Sequence, residues 1–495
     1  MIEERDLSKK ITNATKWSVI TNVVRKLISP ITNMILARLL IPEVFGVVAT
    51  INMVISFSEI FSDAGFQKYI VQHEFDTEED LYKSANVAFW TNFIIAMILW
   101  SGIAIFNEPI SNLVGSHGYG IQLTVAALTI PLFSFSSIQQ SIYKRRFEFK
   151  AMFIPRLINC LIPIIITIPL AYITRNSWAL IIGTVASNLS DAILFTIKSK
   201  WKPKFYYQFK LLKEMFSFSI WTLFEQLSIW LTINVDVFIL GNIISTHELG
   251  LYKTSITTVN QITTLITTTI IPVLFSALSR CQKDERMFKS TLYQFQNKTA
   301  ILLLPMSVGI FIYKEMVTWI LLGKNWMEAS LFIGLIGLMQ AFTILICNFG
   351  SEVYRAKGNP KISFLVQILY ILCIIPTLIV ASKYSFNVLC IARTICMAAF
   401  IVINLVTLKL KYKFSIKLMI KSIYEPFIAT GIMTIVGIIL KYIIKSVELQ
   451  LISIFVCIMV YFLSCMLFKG TRESIQKFYQ SIKFNIKKSK IKLVV

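Results

Sequence analysis

Apolar blocks of about twenty residues recur along almost the whole chain, and basic loops separate them. At 1.5 Å of rise per residue, each block spans the roughly 30 Å of hydrocarbon in a bilayer. Lipid gives backbone N–H and C=O groups no partners, so only helices or a closed barrel can cross it. The blocks are continuous rather than alternating, which selects helices. Spans are predicted at about 17–40, 44–64, 84–106, 119–140, 151–173, 178–198, 217–243, 250–277, 298–322, 329–352, 362–382, 385–409, 424–444 and 449–468. The expected fold class is an all-α integral membrane protein of about fourteen transmembrane helices. Charged residues make up only 15% of the chain, against about 25% in a soluble domain, which excludes an ordinary water-soluble enzyme.

The loops give the orientation. Basic residues crowd into alternate segments: Lys144, Arg145, Arg146 and Lys150; then Lys198, Lys200, Lys202 and Lys204; then Arg280, Lys283 and Arg286; then Lys409, Lys411 and Lys413. The opposite loops hold few, such as Arg175, Lys324, Lys383 and Lys445. This asymmetry fixes that side as cytoplasmic and predicts both termini there. The net charge of +23 is then a property of cytoplasmic loops, and no nucleic-acid partner is expected. The start, MIEERDLSKK, is polar and charged rather than a signal peptide, so the first span is expected to act as an uncleaved insertion signal. The eight cysteines form no CxxC and no Cys/His cluster, so neither disulfides nor a metal site is expected. No GxxxxGK[ST] segment or other cofactor motif is present.

The chain also repeats itself. Ile35-Leu36-Ala37-Arg38-Leu39-Leu40 followed by Gly46 overlays Ile239-Leu240-Gly241-Asn242-Ile243-Ile244 followed by Gly250. This maps helices 1 and 2 onto helices 7 and 8. Six helices per repeat is an even number, so the two repeats cross the membrane in the same sense, a recurrent transporter plan. The expected organisation is a cytoplasmic N-terminus (1–16), an N-lobe of helices 1–6 (17–213), a C-lobe of helices 7–12 (214–413), an appended helix pair (414–470) and a basic cytoplasmic tail (471–495).

Charge inside a bilayer is costly, so its placement is informative. Helix 1 carries Asn22, Arg25 or Lys26, Ser29 and Asn33 at steps of three or four, one face of a helix. Helix 2 carries Asn52, Ser56, Glu59 and Asp63; helix 7 carries Glu225, Ser228, Thr232 and Asp236; helix 8 carries Lys253, Thr257, Asn260, Thr264 and Thr267. One reading makes these stripes glue between helices, with structural ion pairs and interfacial charges. The other makes them the walls of a cavity, because they fall on equivalent helices of the two repeats. The candidate substrate-binding residues are Asn22, Arg25, Lys26, Ser29, Asn33, Lys253 and Asn260. Arg25 and Lys26 suit phosphate or an acidic sugar, and arginine offers a bidentate fork. The candidate ion-coupling acids are Glu59, Asp63, Glu225 and Asp236, which can take up a proton or a cation. Pro30, Pro131, Pro163, Pro272, Pro305 and Pro376 fall inside spans and loosen them.

The run Leu36-Ala37-Arg38-Leu39-Leu40-Ile41-Pro42-Glu43-Val44-Phe45-Gly46-Val47-Val48-Ala49 resembles the start of polysaccharide-transport proteins, the Wzx-type lipid-linked oligosaccharide flippases. Phe61-Ser62-Asp63-Ala64-Gly65-Phe66, Thr77-Glu78-Glu79-Asp80 and Tyr143-Lys144-Arg145-Arg146-Phe147-Glu148-Phe149 resemble the same proteins. The resemblance implies membership of the multidrug/oligosaccharidyl-lipid/polysaccharide exporter superfamily, with two six-helix lobes in a V around a central cavity and two extra C-terminal helices. It implies movement of an undecaprenyl-pyrophosphate-linked oligosaccharide to the outer leaflet by alternating access, for O-antigen, capsule or exopolysaccharide assembly. A proton or sodium gradient is the implied drive, and other polysaccharide-assembly proteins are implied candidate partners. The alternatives are a peptidoglycan-precursor flippase or a drug/cation antiporter of the same superfamily and, from another class, a membrane glycosyltransferase or polymerase. A drug antiporter usually has twelve helices, and a glycosyltransferase needs larger external loops than this chain provides.

Overall fold

The computed structural model describes the backbone of residues 2–63, 65–444, 446, 449–473 and 476; for residues 2–12, 217–222, 225 and 360 it describes the backbone alone. The expected tail (471–495) lies almost entirely outside the described residues. Among the described residues every regular element is helical. The long helices are α1 (Ile2–Leu39), α2 (Pro42–Asp63), α3 (Glu78–Ile105), α4 (Gly120–Arg145), α5 (Phe149–Thr174), α6 (Ser177–Lys198), α7 (Phe209–Leu240) and α8 (Thr246–Arg280). They continue with α9 (Glu285–Ile312), α10 (Lys324–Ala356), α11 (Lys361–Ala381), α12 (Phe386–Tyr412), α13 (Ile416–Ile443) and α14 (Gln450–Leu467). Among the described residues, 12 of these helices have the length and apolarity to cross a membrane. The other two are α1, which carries Lys16, Arg25 and Lys26, and α7, whose described apolar part is Gln226–Leu240. The chain is a multi-pass membrane protein.

Several helices outrun their hydrophobic blocks, because caps rather than hydropathy end them. Asp284 accepts from the Met287 N–H at 2.9 Å and starts α9 at Glu285, well before the block at 298. Ser415 caps α13 in the same way. Lys289, Lys298, Lys417 and Lys421 therefore ride on helices. α1 is helical back to Ile2, through the stretch expected to be a separate cytoplasmic N-terminus. No proline or glycine interrupts that stretch.

The repeat extends beyond the matching residues. α3 and α9 are each 28 residues long. Each is followed by a short helix, Asn107–Leu113 or Lys314–Leu321, and then by a glycine at positive φ, Gly115 at +80° or Gly323 at +101°. Such values suit glycine and few other residues.

By compactness the chain forms two units, Met1–Thr254 with Leu322–Trp326, and Ser255–Leu321 with Met327–Val495. In the first, α5 packs on α1 and α6, α4 on α3 and α6, and α7 on α2. Phe66, Tyr69, Phe89, Ile138, Trp201 and Met215 form one of its cores, and Ile51, Ala96, Ile103, Leu123, Ile130 and Ile181 another. In the second, α9 packs on α10 and α13, and α14 on α13. The appended pair is tied to α9 by polar bonds as well as by packing. Tyr461 donates to the carbonyl of Ile301 at 2.8 Å, and Lys441 donates to the Ile312 carbonyl and to Glu315, both at 2.7 Å. π-helical turns at Pro163–Thr167 and Thr343–Asn348 interrupt α5 and α10, leaving backbone groups less tightly paired there.

Candidate functional site

α1 presents two different exposed faces. Val19, Val23, Leu27, Ile31 and Ile35 are exposed and apolar, at steps of four, and suit lipid. Asn22, Arg25 and Ser29 are exposed on another face, with Lys26 and Asn33 half-buried beside them. Thr21, Thr32, Leu36 and Ala37 are buried. The polar stripe of α1 thus stays exposed beside its apolar face.

Arg25 belongs to a network of charges inside the first unit. It lies within interaction range of Arg156 and Cys160 on α5 and of Asp191 on α6. Arg156 donates to the Gln140 side chain on α4 at 3.4 Å. Asn159, also on α5, interacts with Asp191 and donates to the Ser187 carbonyl at 3.1 Å. Lys144 on α4 is coupled both to Arg156 and to Asp63, and Asp63 is coupled to Glu59. Charges on α1, α2, α4, α5 and α6 therefore form a continuous chain. Arg156 and Asp191 are missed when stripes are sought only on helices 1, 2, 7 and 8. The rule that selects Arg25 selects them too, since both sit inside expected spans.

The remaining candidates have different surroundings. Asp63 is buried, and Gly65 and Gln67 hydrogen-bond to it, so it braces the turn into the short helix Phe66–Gln72. Its Oδ1 is buried with no hydrogen-bond partner among the described residues. Asp236 is buried too; it accepts from the Val237 N–H at 2.8 Å and from the Tyr252 hydroxyl at 3.2 Å. Lys253 donates to the Ile233 carbonyl at 3.3 Å. Ser56 accepts from the Trp230 ring nitrogen at 2.9 Å. In the second unit, Asn260 is exposed and accepts from Gln340 at 3.0 Å. The side chain of Glu225 lies outside the described residues.

At the end opposite the basic loops, α2 and α8 cross on the two glycines of the repeat. A Cβ on Gly46 would lie 1.9 Å from the Thr246 carbonyl oxygen, and one on Gly250 would lie 1.9 Å from that of Pro42. Beside the crossing, Glu43 and His247 bond at 2.7 Å. A second pair of contacts covers the ends of α1 and α7. Gly115 presses on the Gly241 carbonyl, and Asn242 donates to the Leu113 carbonyl at 2.5 Å. Gly323 lies against Arg38, and the buried Trp326 donates to the Ala37 carbonyl at 2.6 Å. Each repeat's loop after its third helix thus seats on the end of the other repeat's first helix.

Known proteins share this plan. The succinoglycan biosynthesis transport protein ExoT of Rhizobium meliloti (strain 1021) is 24% identical over 357 residues, 72% of this chain and 71% of its own length. The lipopolysaccharide biosynthesis protein WzxC of Escherichia coli (strain K12) is 17% identical over 427 residues, 85% of this chain and 84% of its own. Among solved structures, the lipid II flippase MurJ in an inward closed conformation superposes with a TM-score of 0.73 at 20% identity, over 93% of this chain and 100% of MurJ. That likeness establishes the fold. The polysaccharide biosynthesis protein family matches residues 35–331. The chain belongs to that family.

Proposed function

We propose that this protein is a flippase that carries an undecaprenyl-pyrophosphate-linked oligosaccharide from the cytoplasmic to the outer leaflet during surface polysaccharide assembly. The observation that carries the reading is the open polar stripe of α1, backed by the charges of α5 and α6 within the membrane. Arg25 and Arg156, which lie within interaction range of each other, suit a diphosphate, which accepts paired N–H donors in one plane. ExoT, a succinoglycan biosynthesis transport protein, and WzxC, a lipopolysaccharide biosynthesis protein, support this substrate class. The basic loops and both termini face the cytoplasm of a bacterial inner membrane, following the charge asymmetry. The six-helix lobes alternate access, and a proton or sodium ion on Glu59 or Glu225 couples transport to a gradient. A peptidoglycan-precursor flippase is the second reading, favoured by the MurJ fold.

The test is leaflet accessibility of the labelled lipid-linked glycan in cells lacking the gene. Accumulation in the cytoplasmic leaflet, reversed by the restored gene, is the expected result. Unchanged distribution of the surface-polysaccharide repeat-unit lipid, with cell-wall precursor trapped instead, selects the second reading.

A further inference from the structure

A cavity of about 920 Å³ opens on the basic-loop side of the first unit, away from the polar stripe of α1. α1 contributes Asn13 and Trp17, α3 Glu78 and Tyr82, α5 Lys150 and Phe153, and the loop after α6 Lys200. The turn Arg146-Phe147-Glu148 closes the wall between α4 and α5. That turn is built in an unusual way. The Phe147 N–H bonds back to Lys144 and the Glu148 N–H to Tyr143 at 2.9 Å, the double closure that normally places glycine at the left-handed position. Here the position holds Phe147, at φ +57°. A bulky residue is rarely kept in this conformation, and such strain collects at binding sites.

The charges in the wall are unequally used. Arg146 is fully engaged: it donates to both Glu78 oxygens at 2.9 and 3.0 Å and to the Tyr82 hydroxyl at 2.7 Å. Glu148 adds its field to that same guanidinium. Lys150 and Lys200 make no ion pair among the described residues. Lys150 stands 5.9 Å from the Trp17 ring centroid, and Trp17 packs on Phe153 at 5.1 Å. The cavity therefore has an aromatic wall, a braced arginine and two uncommitted cations. It lies where α3 and α5, both long and apolar enough to cross a membrane, begin. Aromatic rings and lysines at a span's end are the usual partners of headgroups, and basic pockets between spans take anionic ones.

We infer that this cavity binds the anionic phosphate headgroup of a lipid, with Lys150 and Lys200 on the phosphate and Trp17 and Phe153 along its stem. The inference rests on the proposed function only for which leaflet supplies the lipid. Two sources share the chemistry: an ordinary anionic phospholipid, and the diphosphate carrier of the proposed substrate.

The experiment is native mass spectrometry of the purified full chain in neutral detergent, with phosphatidylglycerol, undecaprenyl diphosphate or net-neutral phosphatidylcholine added. The unmodified protein should retain the anionic lipids in preference to phosphatidylcholine. Lys150→Gln/Lys200→Gln should lower that retention roughly tenfold and leave phosphatidylcholine unchanged. The single variants should each lower it about threefold, and they keep the test open if the double variant fails to accumulate. Preference for the diphosphate lipid identifies a docking place for the carrier, and equal retention of both identifies a resident phospholipid. Retention unchanged in Lys150→Gln, Lys200→Gln and the double variant, or no preference over phosphatidylcholine, overturns the inference. The measurement needs no transport, so a failed flippase reading leaves its result intact.

Discussion

Glu43 Oε1 and His247 Nδ1 stand 2.7 Å apart, and the two residues occupy equivalent positions of the repeat, 204 residues apart. Pro42 and Thr246, and Gly46 and Gly250, are equivalent in the same way, and each member of a pair meets its counterpart's surroundings. A pseudo-two-fold axis therefore passes through the crossing of α2 and α8. Exchanging two side chains across such an axis regenerates the same bond. Glu43 is 40% exposed and His247 31%, so Glu43→Ala or His247→Ala should cost at most about 1 kcal/mol. The exchange Glu43→His/His247→Glu should restore the melting temperature in detergent. An exchange variant no more stable than the two alanine variants combined removes the axis from the explanation.

The glycines of the crossing make a sharper case. Gly46→Ala and Gly250→Ala each drive a methyl into a carbonyl oxygen, so α2 and α8 must separate. Overpacking of this kind costs about 1–3 kcal/mol. The equivalence of the sites predicts similar losses for both. Gly102 and Gly431 have no atom within 4 Å of an added Cβ. Gly102→Ala and Gly431→Ala should be neutral or stabilise by about 0.5–1 kcal/mol. Thermal melts of the four variants test the pattern, and equal effects at all four would contradict it.

Arg25 tests the proposed path. Arg25→Ala should abolish export while the protein still inserts and accumulates. Arg25→Lys should keep part of the activity, because the charge survives and the bidentate fork does not. Asp191→Asn removes the carboxylate that faces Arg25 and Arg156, and should lower export while the protein still accumulates. Export assays with blotted protein levels separate these effects. Full export by Arg25→Ala removes the residue from the path.

Coupling is tested at Glu59 and Glu225. Each Glu→Gln change keeps shape and polarity but abolishes ionisation. Glu225→Gln should bind substrate yet lose the response to an imposed gradient, and Glu59→Gln is the alternative site. Flipping in proteoliposomes, with and without a pH or sodium gradient, decides between them. If both variants respond like the unmodified protein, the drive acts elsewhere or transport is passive.

Orientation is checked by reporter fusions in the loops that the helices leave free. Fusions after Glu148, Lys204, Lys283 and Lys413 should report cytoplasm, and fusions at Ser116 and Lys324 should report the outside. Two of the first four reading external would reject the assignment of sides.

Hydropathy located the helices well because a membrane span must be both long and apolar, and few other elements are. α9 and α13 show where it stops: Asp284 and Ser415 set their first residues, and a capping hydrogen bond leaves no mark in a hydrophobic average. Gly46 and Gly250 stood out in the sequence as matching positions of the repeat, but that they meet at a crossing shows only in the structure, because spacing along the chain does not encode which helices touch. The partners of Arg25 were harder to see. Arg156 and Asp191 meet it only through the packing of α5 between α1 and α6, which no spacing along one helix encodes. The cavity beside Trp17 draws on four separate segments, and only the unusual turn at Phe147 lay within a recognisable run.

The seating of Trp326 on Ala37, across 289 residues of chain, has a consequence for biogenesis. At translation rates of about 5–20 residues per second, roughly 15–60 s separate the synthesis of the two. By the end of that interval nine helices have been made while the end of α1 still lacks its Trp326 contact. The nascent protein must therefore be guarded by the insertion machinery or by neighbouring lipid until the tenth helix begins to emerge. Lesions in residues 322–326 should accordingly act on the earliest-made part of the molecule, shortening its lifetime in the membrane although they lie far downstream of it.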